Sequence, residues 1–327
     1  EGNSSCRQCR LDRWNDVIKK CYQGLEMALA PSCSSSSNSP TLSSPGIPSL
    51  ICEPSLIDRV RLYYQRLSAV RRNHELALRG VIMDPYTASR DEYEIVPCTY
   101  QVMNQSVRIM VSSLFDFAAA LLPEFIELPL SDKWLLIRNF QSSFHCIESH
   151  MRTQRYFTME SGRCFSTYTT YLSTDNSAVY FSDCTNKTHI GEAARMLEQC
   201  IRENCHRIRD HLNRVRPSDD EFMALMVIAF WSIDSINAHE SLLDLASRYR
   251  TKTLSRLMTG YKETIGAVEG AVRIGELYGI LDIIKRAEAN MKWEFEVYRV
   301  LDLFEDDTYM YAMQSHKPDT ICRSLIY

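Results

Sequence analysis

No apolar run in this 327-residue sequence approaches the roughly 20 residues that a membrane-spanning helix needs. No secretory signal is visible, although the chain opens on Glu1 and not on Met. No membrane partner is therefore expected. There is no glycine-rich phosphate loop and no His-Glu-x-x-His, so two common enzyme signatures are missing. A strong charge of one sign is missing too. Lys and Arg number 37 against 41 Asp and Glu, a net charge of -4. That excludes a wholly basic nucleic-acid binder and leaves room for a local basic patch. The remaining composition, 45% hydrophobic and 24% charged, is that of a globular protein with one large domain or two small ones. Twelve cysteines are scattered among helical or apolar residues. They read as reduced, buried thiols of a reducing compartment.

Composition divides the chain. Residues 31 to 55 hold ten serines and five prolines, too little apolar surface to order themselves, so 31–54 reads as a disordered hinge. From Ser55 the pattern turns helical. Ser55-Leu56-Ile57-Asp58 has the form of a capping box, and Gly80 is a stop. Val107, Met110, Val111, Leu114, Phe117, Ala118 and Leu121 recur at steps of three and four, one apolar face of a helix. Pro123 ends it. Ser131 reads as the next N-cap, ahead of Leu136, Phe140, Phe144 and Ile147.

Residues 165–171 and 178–181 are β-branched and aromatic, with 173–177 between them, which predicts a small hairpin. A long helix follows over 191–216, ended by Pro217. Ser218 and Glu221 cap another whose residues 222–231 are apolar nearly all round. A helix apolar on all sides is buried on all sides, so three layers of helices are expected, not two. Helical patterns continue over 238–259 and 263–304. The expected fold class is all-α, a three-layer antiparallel helical sandwich with one small β-hairpin.

Two stretches carry a resemblance. Residues 117–138 read FAAALLPEFIELPLSDKWLLIR, and Phe117-Ala118, Pro123, Phe125, Leu128, Asp132, Lys133, Leu136, Ile137 and Arg138 fall at the places of a known signature. The segment resembles the ligand-binding-domain signature of the nuclear hormone receptors. Cys6-Arg7-Gln8-Cys9-Arg10-Leu11 resembles the end of that family's second zinc module, although residues 13–19 intervene before Lys20-Cys21. The sequence divergence resembles the expanded nematode receptors related to hepatocyte nuclear factor 4.

The resemblance implies a domain order: the truncated end of a DNA-binding module over 1–30, the hinge over 31–54, and a ligand-binding domain over 55–327. It implies zinc, with Cys6 and Cys9 as half of a tetrahedral site whose other two ligands lie upstream. Arg7, Arg10 and Arg13 become phosphate contacts to DNA. A small lipophilic ligand would sit between helices, with Met110, Leu114, Phe144 and Met151 as candidate lining residues. Coregulator proteins would dock in a groove at Ala119, Lys133, Arg138 and Ser324. In the family a lysine and a glutamate clamp the ends of a bound helix there. Ala119 and Ser324 stand at those two places, so recruitment of standard coactivators is expected to be weak. The protein would act in the nucleus as a homo- or heterodimer.

Two other readings compete. A ligand-free dimerisation module would use Val297, Val300, Leu301 and Phe304, which also recur at helical spacing. An all-α enzyme would need a metal-binding acidic motif. Asp219-Asp220-Glu221 and Glu305-Asp306-Asp307 lack the Asp-Asp-x-x-Asp spacing, and Cys200, Cys205 and His206 are irregularly spaced for a metal. No enzymatic activity is expected.

Overall fold

The computed structural model describes residues 54–81, 93–233, 238–304 and residue 310. The chain from Glu53 to Tyr327 forms one compact unit, distinct from Glu1–Cys52. The readings made for Cys6, Cys9, Arg7, Arg10, Arg13, the hinge and Ser324 lie outside the described residues.

Helix α1 (Leu56–Leu78) starts where the sequence places it. The Ser55 hydroxyl accepts from the Asp58 N–H and donates to the Asp58 carboxylate. After the helix, Gly80 takes φ +69°, a left-handed value that costs glycine nothing. Strand β1 (Val96–Pro97) leads into α2 (Tyr100–Leu121), which buries all seven residues of the predicted stripe. Pro123 does not simply end that helix. It opens the one-turn α3 (Pro123–Glu127), because the first helical turn has no use for the N–H that proline lacks. Helix α4 (Leu130–Tyr156) begins two residues earlier than predicted. Pro129 occupies the cap position, and Ser131 lies inside the first turn without capping it. The φ of -54° at Pro129 already suits the entry to a helix, and Asp132 supplies negative charge to the first turn.

The hairpin is present, with its strands displaced. β2 (Arg163–Phe165) pairs antiparallel with β3 (Thr170–Ser173), and β1 joins β3 in parallel, giving the order β1-β3-β2. Residues 166–169 form the turn, not 173–177, and Ala178–Phe181 belongs to a 3-10 segment (Thr174–Phe181). A tertiary partner sets this turn. The buried Glu75 carboxylate reaches from α1 and accepts from the N–H groups of Tyr168 (3.1 Å) and Thr169 (2.8 Å) and from the hydroxyls of Thr167 and Thr169. Its four bonds satisfy a turn made of β-branched and aromatic residues, which local sequence does not favour there.

The predicted 191–216 helix is one continuous rod in three parts: α5 (Ile190–Cys200), a wider π-helical turn (Ile201–Cys205) and α6 (His206–Val215). Arg216, in the left-handed region at φ 46°, ends it ahead of Pro217. Helix α7 (Asp219–Phe230) carries the full Ser218–Glu221 capping box, and every residue from Glu221 to Phe230 is buried. Helices α8 (Glu240–Thr264) and α9 (Ala267–Val300) follow, separated by Gly266 at φ +95°.

The helices form three layers. In the middle, α4 packs against α2 on one side and α9 on the other, and α7 likewise lies between α1 and α9, beside α8. The fold is the all-α sandwich that the all-round apolar helix implies. Val297, Val300, Leu301 and Phe304 do not share one outward face. Val300 is 80% exposed, whereas Phe304 is buried among the rings of Tyr100, Phe181 and Tyr298.

Candidate functional site

The second half of α4 is buried on almost every side, and from Cys146 to Thr153 no residue is exposed. An amphipathic helix at a two-layer interface would hide only one stripe. Here polar residues are carried inward with the apolar ones, and a cavity of about 90 Å³ opens beside them. Four places supply most of its walls, and Met103 of α2 and Tyr180 of the 3-10 segment complete them. α4 supplies His145, Cys146, Ser149 and His150. The hairpin supplies Cys164, Phe165, Ser166 and Leu172. The rod supplies Leu197, Cys200, Ile201, Asn204 and Cys205. α9 supplies Ala287, Met291, Glu294, Phe295 and Tyr298. A second chamber of about 40 Å³ adjoins it, lined by Val107, Met110, Gln141, Ser142 and Met310. Met103, His145, Met291 and Phe295 border both.

The π turn explains how the rod contributes. One extra residue in the turn lets Cys200, Asn204 and Cys205 all reach the same wall, and such turns recur at functional sites. The Asn204 side chain donates to the Cys200 sulfur at 3.0 Å and accepts from Asn290 at 2.9 Å. The Cys205 thiol is held well above its ordinary range, first by its hydrogen bond with the free thiol of Cys164 and then by burial. Burial also raises Cys146 and Cys200. These are protonated thiols, soft apolar surface and not nucleophiles. Among the described residues no group of three or more His, Cys, Asp or Glu is placed to hold a metal ion.

Burial works against charge on the ionisable groups of the wall. Burial presses His150 down to about 4, and His145 falls to about 4 through burial and the nearby Arg71 charge. Burial raises the Glu294 carboxyl, which accepts from the Tyr298 hydroxyl. Arg152 stands behind the hairpin wall. Its guanidinium lies 4.0 Å from the Phe165 ring centre and 3.8 Å from that of Tyr168, and it donates to the Tyr168 carbonyl at 2.7 Å.

The four candidate ligand residues do not converge. Met110 lines the smaller chamber. Leu114 is fully buried in the core on α2, with no place on either wall. Phe144 packs against Phe140 and beneath Arg71. Met151 borders a separate cleft of about 170 Å³ between α1, α4 and α7, with Arg61, Tyr64, Arg155 and Phe222. A 3.6-residue step assigns a face only while one face is buried. On α4 that condition fails, so positions on the cavity side, His150 above all, escape the stripe. The cysteines of the wall are scattered in sequence over 60 positions (146 to 205) and meet only through the fold.

Of the groove residues, Ala119 is half-buried near the end of α2. The Lys133 ammonium donates to the Ile126 carbonyl at 2.7 Å and lies 6.0 Å from the Phe125 ring centre. Arg138 is half-buried, and loss of hydration lowers its pKa. Ile126 and Leu130 stand exposed nearby in sequence, at 60% and 56%.

Comparison with known proteins agrees with this architecture. Residues 91–301, from just before β1 to the end of α9, match the family model for the ligand-binding domain of nuclear hormone receptor. The chain is 23% identical over 312 residues to nuclear hormone receptor family member nhr-53 of Caenorhabditis elegans, covering 95% of this chain and 79% of that protein. It is 21% identical over 334 residues to family member nhr-16 of the same nematode, covering 95% and 82%. A shorter match of 198 residues, again at 21%, is to nhr-43, covering 59% of this chain and 44% of that protein. The signature over 117–138, the three-layer sandwich and the matched 91–301 segment place this chain in the nuclear hormone receptor family, as a divergent member similar to nematode receptors.

Proposed function

We propose that this receptor regulates transcription in response to a small lipophilic ligand held in the cavity between α2, α4, the π turn and α9. The observation that carries the proposal is the cavity itself. It is enclosed by aromatic, methionine and thiol side chains with a few convergent polar groups, the make-up of a small-molecule site. Residues 55–327 serve as the ligand-binding domain in this reading, 31–54 as the hinge, and 1–30 as the end of a zinc module. Cys6 and Cys9 would bind zinc together with two further ligands. Arg7, Arg10 and Arg13 would contact DNA phosphates. The protein would work in the nucleus, as a dimer.

Native mass spectrometry of the full chain tests the ligand. A discrete small-molecule adduct, displaced when the cavity is narrowed by Ala287→Phe, is the expected result. A clean apo mass with no uptake from a lipid panel would favour the ligand-free module.

The proposed coregulator groove runs along Ala119, Lys133, Arg138 and Ser324. It lacks the lysine that would meet the carbonyl end of a docked helix, and Lys133 is already bonded to Ile126. A standard Leu-x-x-Leu-Leu peptide is expected to bind more weakly than micromolar. Ala119→Lys should tighten it about two- to fivefold, as a charge worth ~0.3–1 kcal/mol at a helix terminus does. Fluorescence anisotropy with a labelled peptide measures both. Micromolar binding by the unmodified chain would overturn this part of the proposal.

A further inference from the structure

We infer that the ligand of this cavity is an uncharged molecule bearing a hydrogen-bond donor, a hydroxyl in the simplest case, which it presents to Nε2 of His150. The inference rests on the ligand-binding reading above and narrows the class of ligand.

The geometry of one imidazole carries it. His150 is only 7% exposed and lies on the cavity wall. Its Nδ1 sits 2.7 Å from the Cys146 carbonyl oxygen one turn earlier on α4. A carbonyl can only accept, so Nδ1 carries the proton. In the neutral ring Nε2 is then a bare lone pair. It finds no hydrogen-bond partner among the described residues. Buried acceptors are nearly always satisfied, and an exception marks a missing partner. The Ser149 hydroxyl does not serve, since it lies on the Nδ1 side at 3.3 Å.

Charge decides what kind of donor fits. The described lining residues include no Arg or Lys. A carboxylate head group would enter without a cation to meet it, and would share the space with Glu294. It would also offer His150 an acceptor where a donor is needed. An ammonium group would lose its hydration against a Glu294 carboxyl that burial holds toward its neutral form. An alcohol incurs neither cost. Its body would lie against Phe165, Leu172, Met291 and Phe295.

The chambers of about 90 and about 40 Å³ are small for an occupied site. Two of the four residues that border both are Met103 and Met291, whose flexible thioethers re-pack readily. Rotation of these two side chains would join the chambers into a slot for a linear chain.

Three ligands of one size separate the possibilities on the full chain. These are nonan-1-ol, its isomer octyl methyl ether, which accepts but does not donate, and nonanoate. Binding is read by titration, and the His150 Nε2 signal by nitrogen NMR with labelled histidine. The alcohol is expected to bind about tenfold or more tighter than either of the others, the scale of one buried hydrogen bond, and to shift the Nε2 resonance. His150→Phe should erase the preference, so that the alcohol binds no more tightly than the ether. If that variant fails to fold, the comparison on the unmodified chain still decides. Equal or tighter binding of the ether or the acid would overturn the inference while leaving the cavity as a ligand site. Uptake of none of the three would overturn the ligand-binding reading itself, and this inference with it.

Discussion

Replacing Arg71 by methionine is expected to destabilise the domain by roughly 4 kcal/mol or more, within the ~3–5 kcal/mol seen when one partner of a buried ion pair is removed. Arg71 and Glu148 are each 2% exposed at the side chain, with Nη1 bonded to Oε2 at 2.5 Å. The same guanidinium lies over the rings of Phe144 and Tyr168 and is drawn also to Glu75. Its removal leaves two buried carboxylates, not one, without that cation. Glu148→Gln should therefore cost less, about 2–3 kcal/mol, because Arg71 keeps Glu75 and the amide oxygen of glutamine still accepts. Urea unfolding of the two variants gives the ordering. If Arg71→Met cost no more than Glu148→Gln, the Glu75 carboxylate would be held by the hairpin turn alone. The consequence reaches the cavity, because Glu75 sets the turn whose neighbours Phe165 and Ser166 form one wall. Ligand uptake by Arg71→Met should fall as well, at a temperature where the variant remains folded.

That turn shows where the sequence stops being readable. The apolar stripe of α2, the Ser55 cap, the Ser218–Glu221 box and the burial of α7 are all local: each is a periodicity or a capping pair within a few residues, and each is found in the fold. The hairpin strands slipped because their turn is stabilised by Glu75, more than 90 residues away in sequence. The start of α4 shifted by two residues for a milder reason, since proline and serine can both precede a helix and the chain took the proline. The candidate site suffers most. A stripe picks residues that face a neighbouring helix, and such residues fill space, as Leu114 and Phe144 do. A cavity is lined by those that have no neighbour to fill it. Ser149, His150, Asn204 and Glu294 are polar positions inside helices, and only their burial in the fold makes them conspicuous. The signal within the sequence was the run Glu148-Ser149-His150 in a helix whose flanking residues are apolar. Polar groups so placed need partners.

The second large effect is expected in acid, at the junction of α7 with α8 and α9. Glu221 accepts from Arg273 through Nε at 2.7 Å and Nη2 at 2.8 Å, from the Tyr261 hydroxyl, and from the Ser218 N–H at 2.7 Å. Burial works against its charge, but these bonds prevail and hold the carboxyl at about 2. A carboxylate depressed in the folded state contributes its stability above its ordinary value near 4.5, and that contribution drains away as pH falls toward about 2. At ~1.4 kcal/mol per pKa unit the loss across this window is roughly 3 kcal/mol. Glu221→Gln should show the same magnitude at neutral pH, since Arg273 is left facing an amide. The cost should not reach the top of the ~3–5 kcal/mol range for broken buried pairs, because Arg273 is 20% exposed, keeps Glu276 and still bonds the Val215 and Arg216 carbonyls. Denaturant midpoints of both proteins at pH 7, 4.5 and 3 test the assignment. The gap between them should be widest at pH 7 and shrink below pH 4.5, because the unmodified chain loses what the variant never had. A gap that stays constant down to pH 3 would mean that the network holds through its geometry and not through the Glu221 charge. Arg273→Met should then be as mild as a surface change, although it unties the α6–α7 corner from α9.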